Sequence, residues 1–154
     1  MTGRITPKEA HTKLQAFCAS RDRCHSEVRT KLISLKVFGD DLEEIISQLI
    51  TDGFLNEERF AKSYVCGKFR INKWGRNKIL YGLLSKKVAG YCIQKGLQEI
   101  EEEEYITVLD DLITKKLKGE SSFEARQKVV ASLQNKGFEQ ELILQRIKEI
   151  KGKM

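Results

Sequence analysis

The chain has 154 residues, of which 40% are hydrophobic and 32% charged, and its formal net charge at pH 7 is +6. This length suits one domain or a small array of repeats, and so large an apolar fraction excludes wholesale disorder. Pro7 is the only proline. With Leu, Ile, Lys and Glu abundant, the composition favours helices over a β-sandwich or barrel, and the basic excess hints at an acidic partner.

Capping signals predict where several helices begin and end. The first helix has an N-cap, a proline in its first turn and a capping-box glutamate in Thr6-Pro7-Lys8-Glu9. Three later starts are predicted at polar caps: Asp40 with Glu43 for the third helix, Asn56 for the fourth, and Ser121 with Glu124 for the eighth. Left-handed C-caps are predicted at four glycines: Gly39, Gly53, Gly119 and Gly137.

The sequence repeats itself three times, at offsets of 51 and then 50 residues. Six positions are apolar in every copy: Val28, Ile79 and Val129; Leu32, Leu83 and Leu133; Val37, Val88 and Phe138; Leu42, Ile93 and Ile143; Ile46, Leu97 and Ile147; Leu49, Ile100 and Ile150. Spacings of three and four residues place them on one face of two successive helices. A less clearly aligned helix precedes each pair; in the second copy it is predicted from Glu57 to Asn72.

The repeats predict an all-α fold of three tandem three-helix (helix–turn–helix-like) repeats that form an elongated array. The predicted boundaries are 1–54, 55–101 and 102–154. In the predicted helix from Glu57, five side chains lie on one apolar arc: Phe60, Ala61, Tyr64, Val65 and Ile71. In the helix that follows Trp74, the apolar face is predicted to consist of Ile79, Leu80, Leu83 and Leu84.

Charge is concentrated in the middle copy. Residues 56–96 hold ten basic and two acidic side chains, whereas residues 97–111 hold seven acidic and none basic. A surface that only needs to be soluble mixes both signs. Basic side chains beside Phe69, Trp74 and Tyr81 suit contact with phosphates and stacking on bases. The candidate binding residues are Arg59, Lys62, Lys68, Arg70, Lys73, Arg76, Lys78, Lys86 and Lys87.

Three features of this region have more than one interpretation. Arg59 lies on an outer helix face, which either contacts a partner or is solvated. Trp74 either packs inside a turn or faces outward. The acidic run Glu101–Glu104 is interpreted first as a solvated helix face, and otherwise as a helix start favoured by the helix dipole or as a dock for a basic partner.

Several classes of function are disfavoured. No segment approaches the roughly 18 apolar residues of a membrane span, and residues 1–7 lack the apolar run of a secretion signal, so we expect a cytoplasmic protein. The four cysteines, even with His11 and His25 nearby, lack the close paired spacing of zinc ligands, and we expect small buried or half-buried thiols, no metal and no cofactor. They are Cys18, Cys24, Cys66 and Cys92. Nucleotide-binding loops, zinc-protease and serine-nucleophile motifs are absent from the sequence, and no enzymatic activity is expected.

Two segments resemble motifs of the RecX family. The first is Gly53-Phe54-Leu55-Asn56-Glu57-Glu58-Arg59-Phe60-Ala61, and the second is Trp74-Gly75-Arg76-Asn77-Lys78-Ile79 with Leu83, Lys86 and Val88. Copy three keeps the family's Lys-Gly-apolar ending as Lys136-Gly137-Phe138. Copies one and two have Lys36-Val37 and Lys87-Val88 without the glycine, which leaves the geometry of those two turns open.

The resemblance implies a non-enzymatic, monomeric regulator that binds RecA recombinase filaments on DNA and lowers strand exchange and ATPase activity, with no membrane partner. Two alternatives stay open. A stand-alone helix–turn–helix DNA-binding module would need a recognition helix with several exposed Arg, Asn or Gln side chains. A helical-repeat scaffold for another protein is disfavoured by the long three-helix period and the lysine-rich middle copy.

Overall fold

The computed structural model describes residues 5–152, and over this range the chain forms nine α helices and no strand. The helices are α1 (Pro7–Ser20), α2 (His25–Ser34), α3 (Gly39–Thr51), α4 (Glu57–Arg70), α5 (Arg76–Ser85), α6 (Gly90–Leu97), α7 (Glu102–Leu117), α8 (Phe123–Asn135) and α9 (Gln140–Gly152). The predicted all-α fold of tandem helical repeats is confirmed. None of the helices in residues 5–152 has both the length and the apolar content needed to cross a membrane.

The apolar positions shared by the three copies form the interior of the protein. Of these eighteen side chains, sixteen are buried, and only Leu97 and Ile150 are half-buried. Burying a Leu, Ile or Val side chain stabilises a fold by about 1.5–3 kcal/mol. The repeat found in the sequence is therefore the pattern of side chains that holds the helices together.

The described chain divides into two compact units. Unit 1 consists of the described residues up to Ser63 together with Leu83–Lys95, and unit 2 consists of Tyr64–Gly82 together with the described residues from Gly96. In unit 1, α1, α2 and α3 pack pairwise, and in unit 2, α7, α8 and α9 do the same. α4, α5 and α6 each contribute residues to both units. The repeat boundaries after residues 54 and 101 stay a prediction.

Two predicted helix starts are confirmed. At the start of α1, the Thr6 hydroxyl accepts the Glu9 N–H at 3.1 Å, and the Glu9 carboxylate accepts the Thr6 N–H at 3.2 Å, which completes the capping box. At the start of α4, the Asn56 side-chain oxygen accepts the Arg59 N–H at 2.9 Å.

Two other predicted caps are wrong by one or two residues. α3 starts at Gly39 with Phe38 at the N-cap, so Asp40 lies within the first turn, where the helix dipole favours its charge. The cap of α8 is Ser122, whose side chain accepts the Ala125 N–H, rather than Ser121. In both cases a polar residue next to the true cap satisfies the same sequence pattern.

Two predicted apolar faces include residues that the structure exposes. α4 ends at Arg70 rather than Asn72, and the chain turns into the left-handed region at Lys73. Ile71 therefore lies outside the helix and is 82% exposed, and Leu84 at the end of α5 is 55% exposed. A helical wheel places the residues of one helix around its axis. It carries no information on where the helix ends or on how far the neighbouring helices cover its apolar face.

The turn after the second helix has the same geometry in every copy. Lys36, Lys87 and Gly137 occupy equivalent positions with φ of 65°, 61° and 100°. Each turn is closed by a backbone hydrogen bond of 3.0–3.1 Å, from Val37 to Leu32, from Val88 to Leu83, and from Phe138 to Leu133. This is a Schellman C-cap. In copies one and two the turn forms with lysine in place of glycine, although a lysine in the left-handed region costs about 1 kcal/mol. Three of the four glycines predicted as left-handed C-caps follow a helix end and have positive φ: Gly53, Gly119 and Gly137. Gly39 also has positive φ, but it is the first residue of α3, so the C-cap predicted there is wrong.

Candidate nucleic-acid interface

In unit 2, the residues before and at the start of α5 lie directly against the turn between α8 and α9. The Gly75 N–H donates to the Lys136 carbonyl at 2.7 Å, and the Asn77 N–H donates to the Gly137 carbonyl at 2.9 Å. A Cβ on Gly75 would lie 2.3 Å from a Gly137 backbone atom, and a Cβ on Gly137 would lie 2.4 Å from the Lys78 Cβ. Glycine is required at both positions because the two backbones touch.

Two lysine side chains lie close to the Trp74 ring at this junction. The Lys68 Nζ lies 4.8 Å from its ring centroid, and the Lys78 Nζ lies 4.5 Å from it. The indole is half-buried and therefore faces neither fully inward nor fully outward. Each ammonium is attracted by the ring quadrupole. Two ammonium groups are therefore held close to one aromatic ring, and each can pair with an anionic group.

A groove of about 460 Å³ opens beside Trp74. Its lining combines rings, a cation and amides: Trp74, Asn77, Lys78, Tyr81, Gly82, Gln134, Asn135 and Gly137. Tyr81 is 77% exposed. A Cβ on Gly82 would lie 2.1 Å from the Tyr64 hydroxyl, so a side chain there would require Tyr64 to move. Rings that can stack on a base, a cation that can pair with a phosphate and amides that can bond base edges are thus collected in unit 2.

Arg76 differs from its basic neighbours because it points into unit 2. Its guanidinium pairs with Glu139 at 2.9 Å, also pairs with Glu102, and lies 3.8 Å from the ring centroid of Tyr105. Burial opposes the charge, but the hydrogen bonds to Glu139 and Glu102 outweigh it and raise the pKa of Arg76. Arg76 therefore stabilises the fold.

The acidic run begins α7, and it is partly paired within the molecule. Arg70 bonds the Glu104 carboxylate at 3.3 Å, which raises the pKa of Arg70, and Glu102 pairs with Arg76. Glu101, Glu102 and Glu103 are exposed, as the preferred interpretation of a solvated face predicts, but Glu102 and Glu104 also pair with arginines of unit 2. Glu102, Glu103 and Glu104 also lie in the first helical turn, where the helix dipole favours carboxylates. The acidic run therefore pairs with arginines of its own unit and also forms a helix start that the helix dipole favours.

The remaining candidate in unit 2 is Lys73, and it lies in an exposed turn. Its backbone is left-handed with φ of 58°, and its ammonium donates to the Arg70 carbonyl at 3.1 Å. Unit 2 thus contains five of the nine sequence-predicted residues, of which Lys68 and Lys78 meet at Trp74, while Arg70 and Arg76 bind acidic side chains.

The other four candidates lie in unit 1. Arg59 binds Asp22 at 2.7 Å, and the Ser63 hydroxyl together with Arg59 holds the pKa of Asp22 below its ordinary value. Lys62 pairs with Glu58 on the same helix at 3.3 Å. Two further lysines belong to the end of α5 and its turn: Lys86, which lies 3.5 Å from the Glu27 carboxylate, and Lys87, which is exposed.

Sequence reasoning missed the acceptors that engage the arginines and the amides of the groove. Glu139, Gln134 and Asn135 are far along the chain from Trp74, and no spacing rule connects them. Their proximity follows from the contact between Gly75 and Gly137, which sequence analysis treats as two independent turn glycines. The repeat alignment contains a partial signal for the groove. Asn77 and Asn135 of the unit 2 groove align with Ser26 and Ser85, which line the corresponding groove of unit 1.

The cysteines and acidic residues do not gather into a metal site in the part of the chain that the structure describes. Cys18 and Cys24 are buried, Cys66 and Cys92 are half-buried, and all four are free thiols. Burial raises the pKa of Cys18, Cys24 and Cys92. Among residues 5–152, no three His, Cys, Asp or Glu side chains are grouped as metal ligands.

Two family models match the chain. Residues 56–97 match the model described as the second three-helix domain of RecX, and residues 102–146 match the third three-helix domain of RecX. Together these matches cover more than half of the 154 residues. They include the whole of α5 and α7 and the turn that contacts Gly75.

Curated relatives carry the same family name. The regulatory protein RecX of Bacillus mycoides is 28% identical over 147 residues, which is 94% of this chain and 54% of that protein. The regulatory protein RecX of Lactobacillus johnsonii is 31% identical over 130 residues, which is 82% of this chain and 48% of that protein. The chain thus spans about half the length of the curated relatives it matches.

Solved structures show the same fold. The crystal structure of RecX from Lactobacillus salivarius superposes with a TM-score of 0.86 at 24% identity, covering 94% of this chain and 96% of that one. A second crystal structure of a regulatory protein RecX gives a TM-score of 0.82 at 20% identity, covering 93% and 71%. With both domain models matched and relatives of that name aligned along nearly the whole chain, this protein belongs to the RecX family.

Proposed function

We propose that this chain binds RecA recombinase filaments on DNA and lowers their strand-exchange and ATPase activity as a cytoplasmic regulator. In this proposal unit 2 contacts the DNA, with Lys68 and Lys78 on phosphates and Trp74 and Tyr81 against bases. The proposal requires no cofactor and no covalent chemistry. The observation that carries it is the pair of ammonium groups 4.8 Å and 4.5 Å from the Trp74 ring centroid, beside a groove lined by amides.

The chemistry of this cluster suits single-stranded DNA. Stacking of a base on an aromatic side chain contributes about 1–3 kcal/mol and tolerates any base, because every base has a π face. Tyr81, at 77% exposure, offers such a face. Neutralising a phosphate releases counterions, so lysine contacts strengthen binding at low salt. Together these contacts bind DNA without sequence preference, as a regulator that acts along a filament requires.

The contacts within each unit divide the nine candidates by role. Arg59, Arg70, Arg76 and Lys86 bind acidic side chains of other helices or loops in their own unit, and we assign them to the support of the surface. An exposed pair within one helix, such as Lys62 with Glu58, contributes little to stability. We therefore assign contact with DNA or recombinase to the remaining lysines: Lys62, Lys68, Lys73, Lys78 and Lys87. Of these, Lys62 and Lys87 lie in unit 1 and are proposed for the recombinase.

The experiment compares charge reversal in two equivalent grooves. Lys68→Glu with Lys78→Glu should weaken binding to RecA filaments on single-stranded DNA and flatten the salt dependence by roughly 0.7 in log–log slope for each phosphate that is no longer neutralised. Trp74→Ala should weaken binding about tenfold without changing that slope. The control is Lys31→Glu, which reverses one charge in the corresponding groove of unit 1 and should leave binding intact.

Two outcomes would refute this assignment. If Lys31→Glu weakens binding as much per charge as the variants in unit 2, general electrostatic attraction replaces the specific site. If the chain binds naked duplex DNA tightly, prefers one sequence and does not respond to recombinase, the helix–turn–helix module is the better description.

A further inference from the structure

Unit 2 has a second groove, away from Trp74, in which apolar side chains are open to solvent. It lies between α8 and α9 and has a volume of about 770 Å³. Val130 and Ile147 are buried beneath it, whereas Phe123 and Leu144 beside it are 67% and 51% exposed. Apolar exposure concentrated in one concave place marks an interaction site rather than ordinary surface.

The rim of this groove is basic. Arg126, Lys148 and Lys151 line it, and it has no acidic side chain among its lining residues. The Arg126 Nε donates to the Ser122 carbonyl of its own helix at 3.5 Å. A partner that fits must therefore bring apolar side chains for the centre and carboxylates for the rim.

The preceding copy shows what kind of element meets an arginine in this position. Arg126 is equivalent to Arg76 at the repeat offset of 50 residues, and each lies in the first turns of the second helix of its copy. Arg76 is covered by the start of α7, where Glu102 pairs with the guanidinium and the Tyr105 hydroxyl accepts the Arg76 N–H at 3.0 Å. The chain thus contains its own example of an acidic helix start packed on this arginine.

We propose that the groove between α8 and α9 binds an amphipathic helix of a partner protein. Its first turn carries at least two carboxylates, which pair with Arg126 and Lys148, and apolar side chains one turn later contact Phe123 and Leu144. Apolar residues spaced three and four apart on such a helix fill a groove formed by two helices. The carboxylates are also favoured at the start of their own helix by its dipole.

Within residues 5–152, a second copy of this chain does not offer such a helix. The helices with two or three acidic residues in the first turn are α3, α4 and α7, and the apolar faces of all three are buried in their own units. The Glu57 carboxylate of α4 already accepts two backbone N–H groups. We therefore assign the groove to a different protein, and this assignment does not depend on the DNA contact proposed above.

The probe is a fluorescein-labelled peptide with the sequence of residues 101–117, the acidic helix that the chain itself provides. We expect it to bind the intact protein in fluorescence anisotropy, and a peptide with lysines at positions 101–104 not to bind. Leu144→Asp, and separately Arg126→Glu with Lys148→Glu, should each weaken binding at least about tenfold, since each removes a central interaction. The control pair Lys116→Glu with Lys128→Glu makes the same charge change outside the groove and should bind like the parent.

Circular dichroism melts accompany each variant, because Leu144 and Lys148 are exposed and the fold should be unchanged. If Leu144→Asp has a lower melting temperature than the parent, the proposal is judged from peptide binding by the charge-reversal pair and its control pair. Equally weakened binding in the control pair would overturn the proposal in favour of general charge attraction. Concentration-dependent dimerisation in sedimentation, abolished by Leu144→Asp, would overturn it in favour of a second copy.

Discussion

Unit 1 joins the starts of α2 and α6 through a carboxylate, whereas unit 2 joins the starts of α5 and α9 through a phenol. In unit 1 the Glu57 side chain, which is 9% exposed, accepts the His25 N–H at 2.9 Å and the Ala89 N–H at 3.2 Å. The carboxylate thus satisfies two helix starts at once, which would otherwise leave unpaired donors. One side chain thus connects two helix starts of unit 1.

In unit 2 the equivalent positions are joined in another way. The Tyr105 hydroxyl accepts the Arg76 N–H at 3.0 Å and donates to the Glu139 carboxylate, and Arg76 pairs with Glu139 at 2.9 Å. The Tyr105 ring also packs between Phe69 and Phe138 at centroid distances of 5.7 and 5.2 Å. Unit 2 therefore adds an aromatic core and an ion pair where unit 1 has a carboxylate alone.

The grooves beside these junctions also differ in the charge and the aromatic content of their lining. The groove of unit 1 is about 430 Å³ and that of unit 2 about 460 Å³, so their sizes are close. Where unit 1 has Glu27, Thr30 and Lys31, unit 2 has Lys78, Tyr81 and Gly82. Glu27 accepts the Cys24 N–H at 3.0 Å and supports its own helix start. One repeated backbone thus presents a structural carboxylate in one unit and a basic, aromatic surface in the other.

The largest expected difference between the units concerns the turn after the second helix. Gly137→Ala should destabilise the protein by about 3 kcal/mol, because the new Cβ would lie 2.4 Å from the Lys78 Cβ and 2.6 Å from the Lys78 backbone nitrogen. Lys87→Ala, at the equivalent position in unit 1, should change stability by less than about 0.5 kcal/mol. Urea unfolding followed by circular dichroism measures both. A cost of only about 1 kcal/mol for Gly137→Ala would show that the left-handed backbone alone, and not the close contact with Lys78, requires the glycine.

The second comparison is between two residues in register, Arg76 and His25. Arg76→Ala should cost about 2 kcal/mol, because it leaves Glu139 without its cation and removes a guanidinium stacked on Tyr105. His25→Ala should cost less than about 0.5 kcal/mol, since its side chain is 40% exposed and lies 3.7 Å from Glu57. Trp74, the single tryptophan, lies in unit 2, so its fluorescence reports the unit in which the larger effect is expected. A larger effect at His25 would contradict the comparison.

The third difference depends on pH. Burial and the hydrogen bond to Glu139 raise the pKa of Tyr105 above its ordinary value of 10.0. Above pH 10 the unfolded chain releases this proton while the folded chain keeps it, so stability falls as pH rises. Tyr105→Phe should cost about 1–2 kcal/mol at pH 8, since the Arg76 N–H is left without its acceptor, and this cost should shrink by pH 11.

Urea unfolding at the two pH values provides the measurement for Tyr105. The control is Tyr81→Phe at a ring that is 77% exposed, which should follow the parent at both values. A constant difference between the parent and Tyr105→Phe would show that the Tyr105 proton is not linked to folding.

Structural features that depend on residues close together in the sequence could be predicted, whereas those that depend on residues far apart could not. Leu32, Leu83 and Leu133 are fully buried because apolar spacing along a helix is a local property, and the sequence records it directly. Thr6 and Asn56 were predictable as caps for the same reason. The inward position of Arg76 was not predictable, because it depends on Glu139 and on the backbone contact of Gly75 with the turn between α8 and α9, far along the chain.

The smallest expected effect tests whether glycine is needed for the turn itself. Lys36→Gly should stabilise the protein by about 0.5 kcal/mol. Glycine removes the roughly 1 kcal/mol cost of a left-handed lysine, and part of this gain is offset by the greater freedom of glycine in the unfolded chain. Val37 should keep its 3.0 Å hydrogen bond to Leu32, so the slope of the urea transition should be unchanged. Lys31→Gly, within α2, is the control and should destabilise by about 1 kcal/mol, because glycine in a helix is unfavourable. A decrease in stability in Lys36→Gly would mean that the lysine side chain contributes more to this turn than its backbone conformation costs. The turns of the two units would then differ in more than the backbone contact that Gly137 makes.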